Sequence, residues 1–258
     1  MKLLERRPGE LPEPVDHPKP LVAATRHVLE AIRVAAKENR QAAGDATLAV
    51  TDTGPLRGDR LTEHLFRRAA AAARELDPKV AARAYVLALG LGIDDSGILR
   101  KTPVLSQLAL AAESDDERRA RLSVLGSPTV LGRRDLAQHF VLSGVLAALA
   151  GRETAETLGI VKEMRDARGG TGFSFADLAA DLAGASFAEA LGDGRLAVVA
   201  LENDFRVADF MPPIDGLPEG LSWQTFQDRF GSAEDDRFHQ VQASLRHRIA
   251  NLPGYTGR

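Results

Sequence analysis

Cysteine is absent from the 258-residue chain. Disulfides, zinc–thiolate sites, iron–sulfur clusters and thiol nucleophiles are excluded with it. Aromatic residues are scarce, at 5%. The core must therefore be built mainly from Ala, Leu and Val, which favours close-packed helices over a thick β sandwich. Charge of one sign does not dominate, since the formal net charge is −3 and no long run of either sign occurs. A broad nucleic-acid surface needs a basic excess, so nucleic acid is not an expected partner. No stretch reaches the ~18 uninterrupted apolar residues of a membrane-spanning helix. The nearest, Phe140 to Ala150, is too short. The opening residues, MKLLERRPGELPEPVDHPKP, interrupt every apolar run with charge or proline and hold no signal-peptide core. A soluble, cytoplasmic protein is the expectation, or one of the cell envelope if an export signal lies outside this sequence.

What is present is ordinary for a folded chain: 44% hydrophobic and 27% charged residues. Apolar positions recur at spacings of three and four over 21–43, where Val22, Val28, Leu29, Ile32 and Ala35 share a stripe. Further helices are predicted over 59–76, 78–89, 103–112, 133–150, 153–167, 174–191, 222–230 and 235–251. The loop 90–103 and a charged, solvated helix over 113–121 lie between them. The expected fold is all-α: a compact multi-helix domain with a central three-helix unit, leaving room for one small β-hairpin. That hairpin is placed at 195–210, pairing with a β-like run at 47–51. The chain divides into an extended Pro-rich arm (1–20), an N-terminal helical portion (21–125), the three-helix unit (126–192), and a C-terminal hairpin with closing helices (193–258), all within one domain.

Each helix of the central unit sets polar groups one turn apart. Asp135 and His139 are spaced i,i+4 on an otherwise apolar helix. Glu163 and Asp166 are spaced i,i+3, and Asp177 and Asp181 i,i+4. Such spacings project from one helix face. If the three faces converge, one histidine and up to five carboxylates share a small volume.

The run DLAQHF, followed by KEMRDARGGTGFSFADLAADLAG, resembles the YfiM-like family of bacterial envelope lipoproteins. That family's pattern falls here on Asp135, His139, Phe140, Lys162, Glu163, Asp166, Gly172, Ser174, Asp177, Asp181 and Gly184. The similarity covers residues 133–191. Leu136 stands where the family carries Lys, and the lipid-bearing Cys of a lipoprotein is missing. The resemblance implies a polar site and an envelope setting more than it implies a reaction.

Imidazole titrates near neutrality, so His139 suits a metal ligand or a general acid/base. Its bland alternative is a helix-face bond to Asp135. Glu163 and Asp166 read either as a salt-bridged face with Lys162 or as carboxyls of raised pKa. Asp177 could complete a capping box with Ser174. Small residues beside Asp181, namely Gly184 and Ala185, suit a neighbouring helix that would enclose the acids, and enclosed acids need a counter-charge or a metal. The candidate set is Asp135, His139, Glu163, Asp166, Asp177 and Asp181 as ligands, with His139 and Glu163 carrying the chemistry. One histidine among carboxylates suits Mg²⁺, Mn²⁺ or iron, and zinc less well. No nucleotide or organic cofactor is indicated, because Gly169-Gly170-Thr171-Gly172 matches neither a P-loop nor GxGxxG and reads as a turn. The reading that follows is a hydrolase, metal-dependent or acid/base, acting on a small-molecule or envelope substrate. Its rival is a non-enzymatic envelope or scaffold protein in which the same groups fix helix register. Asp94-Asp95-Ser96 reads as a helix cap. Ser143 lacks a nucleophile-elbow context, and His27, His64, His239 and His247 receive no role.

Overall fold

The computed structural model describes residues 18–45 and 54–256. The β-like run at 47–51 and nearly all of the 1–20 arm lie outside those residues. The described residues form α-helices and short 3₁₀ turns, with isolated bridges but no strand or sheet. The helices are α1 (Lys19–Asp45), α2 (Gly58–Ala73), α3 (Pro78–Ile93), α4 (Ile98–Lys101), α5 (Pro103–Ala112), α6 (Asp115–Val124), α7 (Arg134–Ala150), α8 (Arg152–Ala167), α9 (Phe175–Gly192), α10 (Leu201–Asp204), α11 (Trp223–Phe230), α12 (Asp236–Ala250) and α13 (Pro253–Thr256). No described helix is long and apolar enough to cross a membrane.

The centre of the fold is α9. Its sequence, FADLAADLAGASFAEALG, is apolar or small around nearly its whole circumference, and a helix of that kind must be covered on all sides. α7 packs along it, α8 crosses both, and α3 and α12 close further sides. α1, α2 and α3 form a second group joined to the first through α3 and α7. The Ala- and Leu-rich core follows the composition. The few aromatics are concentrated within it: all ten phenylalanines touch another ring. One cluster joins Phe66, Tyr85, Phe140, Phe187, Phe205 and Phe210. The other joins Phe173, Phe175, Phe226, Phe230 and Phe238.

Three expectations need correction. The 195–210 hairpin is instead a 3₁₀ turn (Val198–Ala200), α10 and a second 3₁₀ turn (Val207–Asp209). The backbone here finds partners on α2, not on a neighbouring strand. Arg67 donates to the Phe205 carbonyl from Nε at 3.0 Å and Nη2 at 2.7 Å, and Glu63 accepts from the Val207 N–H at 3.0 Å. Second, α3 continues through Gly90 and Gly92, read as loop. A Cβ on Gly90 would strike Val145 of α7, and one on Gly92 would lie 2.9 Å from Ile32 of α1. These glycines admit neighbouring helices without ending their own. Third, the 113–121 stretch is not wholly solvated. Glu113 and Arg121 are 3% and 1% exposed, paired at 2.7 Å, with Arg121 also donating to the Gly92 carbonyl at 2.8 Å. A buried pair of this kind strongly penalises removal of one partner.

The tightest approach in the fold is α7 against α9. A Cβ on Gly184 would fall inside contact distance of the Phe140 backbone carbonyl, and one on Gly144 would lie 3.3 Å from the Gly184 oxygen. We expect Gly184→Ala to destabilise by about 3 kcal/mol, because backbone atoms on both sides must move. Gly144→Ala should cost less. Gly192→Ala, which meets nothing within 4 Å, should stay within about 0.5 kcal/mol of wild type. Chemical denaturation of the three variants checks the order.

Candidate functional site

α7, α8 and α9 each contribute one side chain to a common point. His139, Glu163 and Asp181 bring one nitrogen and two carboxylate oxygens within 4.8 Å of one another. The Gly144–Gly184 approach makes this meeting possible, since it sets His139 and Asp181 on facing helix surfaces. His139 Nδ1 donates to Asp181 Oδ1 at 3.0 Å, and its Nε2 lies 3.5 Å from Asp177 Oδ2. The Ser143 hydroxyl, one turn along α7 from His139, donates to the Asp181 backbone carbonyl at 2.7 Å. That bond fixes the register of the two helices beside the site.

Glu163 is fully buried. Its Oε1 accepts from Lys162 Nζ at 2.8 Å and its Oε2 from the Ser174 N–H at 3.0 Å. Ser174 is itself held from two directions. Its hydroxyl caps α9 by accepting from the Asp177 N–H at 3.1 Å. On its other side, Phe173 exchanges backbone bonds with Leu221 at 2.8 and 3.0 Å. The glycine run before it is a turn, as expected, in which the Gly170 and Gly172 N–H groups both donate to the Asp166 carbonyl, at 2.8 and 3.2 Å. Gly172 has φ +91° and packs against Gly220 too closely for any Cβ. The closing segment thereby positions the residue that orients Glu163.

Asp181 differs from the others. It is 5% exposed, and its Oδ2 is a buried acceptor to which no group among the described residues donates. Gly159 of α8 faces it, and a Cβ there would lie 2.8 Å from Oδ2. The absent side chain leaves this oxygen uncapped. A buried acceptor without a partner costs about 1–3 kcal/mol, and native structures seldom keep one without a reason.

The remaining candidates lie at the edge. Asp135 does not reach His139. Arg133, two residues earlier, holds it with bonds of 3.2 and 2.5 Å and also reaches Glu219 at 2.6 Å and Asp177 at 3.4 Å. Asp166 is drawn outward by Lys162, four residues before it, at 2.9 Å. In both cases a basic side chain within four residues in sequence competes successfully for the acid. Asp177 is not a capping-box acid either, since its carboxylate faces His139 and Arg133. Asp94 does cap: its Oδ1 accepts from the N–H groups of Ser96 and Gly97 at the turn into α4. His27, His239 and His247 are exposed, and His64 is half-buried.

Two cavities flank the cluster, and His139 and Lys162 line both. One, of about 450 Å³, is polar, with Arg133, Asp135, Asp166, Asp177 and Glu219 around it. The other, of about 440 Å³, has His139, Lys162 and Asp181 at one end and leucines beyond. The leucines of this second cavity, Leu142 and Leu158 among them, carry no motif. Only coordinates bring them to the site. Comparison of the chain with protein-family profiles, with curated proteins and with solved structures finds no match.

Burial dominates the ionisation of these groups. It pushes the Glu163 and Asp177 carboxyls above the ordinary carboxylate range. For His139 burial works downward, but the Asp181 hydrogen bond and the charges of Asp181 and Asp177 outweigh it, and the net pKa is raised. A raised folded-state pKa means the folded protein holds the proton longer. The stabilisation from His139 is therefore complete below its unfolded value, near 6.5, and is lost as pH rises through the folded value. Glu163 and Asp177 act with the same sign at lower pH. His64 is pushed downward by burial and acts with the opposite sign. We expect the denaturation midpoint of the wild type, measured relative to His139→Gln without added metal, to fall as pH rises through the neutral range. His64 is common to both proteins and cancels. A constant difference across that range would contradict the assignment.

Proposed function

We propose that His139, Glu163 and Asp181 form a divalent-cation site that serves hydrolysis. The observation that carries this reading is the bare Asp181 Oδ2, buried beside two other ligand-type atoms. A cation is the partner that satisfies such an oxygen without a hydrogen-bond donor. One imidazole with two carboxylates suits Mg²⁺, Mn²⁺, Fe²⁺ or Zn²⁺. When bound, such an ion supplies a Lewis acid and lowers the pKa of its water. The chain's own groups have separate parts. Ser143 and Ser174 hold Asp181 and Glu163 in place. Lys162, paired with both Glu163 and Asp166, can keep Asp166 and release Glu163. Asp177, of raised pKa and next to His139, is placed to take a proton near the cluster. The resemblance to the YfiM-like envelope family favours an envelope-derived or small-molecule substrate.

A second reading has its own support. Both Glu163 oxygens have donors, and His139 lies between two acids, so the network is nearly closed without an ion. On that view it fixes the register of α7, α8 and α9 and the protein is a scaffold.

A thermal-denaturation series over Mg²⁺, Mn²⁺, Fe²⁺ and Zn²⁺ separates the two. An ion present at about 100 times its Kd stabilises by about 2.7 kcal/mol, which in a chain of this size raises Tm by roughly 5–10 °C. We expect that shift in the wild type with at least one ion. It should be lost in Asp181→Asn and Glu163→Gln, with helical circular dichroism unchanged. A wild type that responds to no ion, or variants that respond equally, would leave the scaffold reading in place.

A further inference from the structure

The second cavity beside the cluster has a composition that the cation site does not require. Its far walls are Ile98 and Leu99 of α4, Leu105 of α5, Leu142 and Leu146 of α7, and Leu158 of α8. At about 440 Å³ it lies within the range of small-molecule pockets, which are mostly apolar with a few polar groups at one end. Here the charged and titratable groups are His139, Lys162 and Asp181, with Gln138 and Ser143 beside them on α7 and Ser96 and Thr102 flanking α4. Ile98 and Leu158 are each 46% exposed, two of the few large apolar side chains in contact with solvent among the described residues. An aliphatic lip of this kind gains by being covered when a chain enters.

Lys162 decides the head group. An ammonium carries three N–H donors, and Glu163 and Asp166 accept two of them, at 2.8 and 2.9 Å. Lys162 lines the cavity, so its third donor can serve an acceptor oxygen there. A carbonyl or carboxylate oxygen satisfies it.

We propose that this cavity takes the acyl chain of an aliphatic carboxylic acid or its ester, with the carboxyl-derived oxygen at Lys162 and the chain running between α4, α7 and α8. The inference rests on the hydrolytic reading for its chemistry but not for its binding. With an ester, water adds to the carbonyl carbon, the carbon–oxygen bond to the alcohol breaks, and the alkoxide oxygen takes up a proton. The products are the acid and the alcohol, with no change of oxidation state.

The test is calorimetric binding of the straight-chain carboxylates from hexanoate to dodecanoate to the full chain without added metal, each below its micelle concentration. Burial of each added methylene should tighten Kd about fourfold, until the chain fills the cavity and the gain stops. Leu158→Asp and Ile98→Asp alter exposed positions and should fold normally, while weakening the longer acids at least tenfold. Val199→Asp, at a site 52% exposed and outside the cavity lining, should bind as wild type. Leu142→Trp should shorten the longest chain accommodated. Vesicles of a phospholipid bearing the preferred chain form a second arm. Binding of the free acid alone assigns a free carboxylate as the source, and binding of both assigns membrane lipid as well; either result supports the proposal. An affinity independent of chain length, or lip variants indistinguishable from wild type, would overturn it. Because no metal is added, failure here leaves the cation site standing, and success here survives failure of the cation site.

Discussion

The separation of α7 and α9 is set by a missing side chain. Gly184 lies against the Phe140 carbonyl with no room for a Cβ, and Gly144 faces it from the other helix. Two helices that approach this closely bring short side chains within reach of one another. His139 can then meet Asp181 directly, and Ser143 can lock the register through the Asp181 carbonyl. The same device recurs at Gly159, where α8 passes the Asp181 carboxylate without filling the space beside Oδ2.

Electrostatics builds on that geometry. Glu163, Asp177 and Asp181 are acids taken largely out of water, against His139 and Lys162 as nearby cations. Burial raises Glu163 and Asp177, and against the downward pull of burial Asp181, with Asp177 behind it, holds the His139 proton. The network is thus balanced but not complete, since one carboxylate oxygen remains without a donor. Arg133 and Lys162 take Asp135 and Asp166 out of competition. A broad acidic face in sequence becomes a three-residue centre in space.

The all-α fold and the three central helices were legible because their signals are local. Apolar periodicity, Ser174 as a cap and Pro78 and Pro103 at first turns need no tertiary knowledge. The convergence of His139, Glu163 and Asp181 was legible as spacing, since i,i+4 and i,i+3 pairs on successive helices share faces. Most of the failures were non-local. Gly90 and Gly92 read as loop because a helix-packing glycine and a turn glycine look alike until the neighbouring helix is known. The apolar runs at 195–210 read as strands because Arg67 and Glu63, which satisfy that backbone, lie more than a hundred residues earlier. Arg121 and Glu113 read as solvated because a charged helix face gives no sign of which pair turns inward. Asp135 and Asp166 read as candidate ligands, with a Lys162 salt bridge as the alternative for Asp166, because spacing alone does not decide whether an acid turns to its basic neighbour or to the cluster.

The central claim is that His139, Glu163 and Asp181 bind one divalent ion. The most direct measurement is anomalous diffraction from crystals grown with Mn²⁺. We predict one anomalous peak at coordination distance from a His139 nitrogen and from a carboxylate oxygen of both Glu163 and Asp181, with Lys162 turned toward Asp166. An anomalous map with no peak among these three residues, in crystals that bind manganese elsewhere, would contradict it.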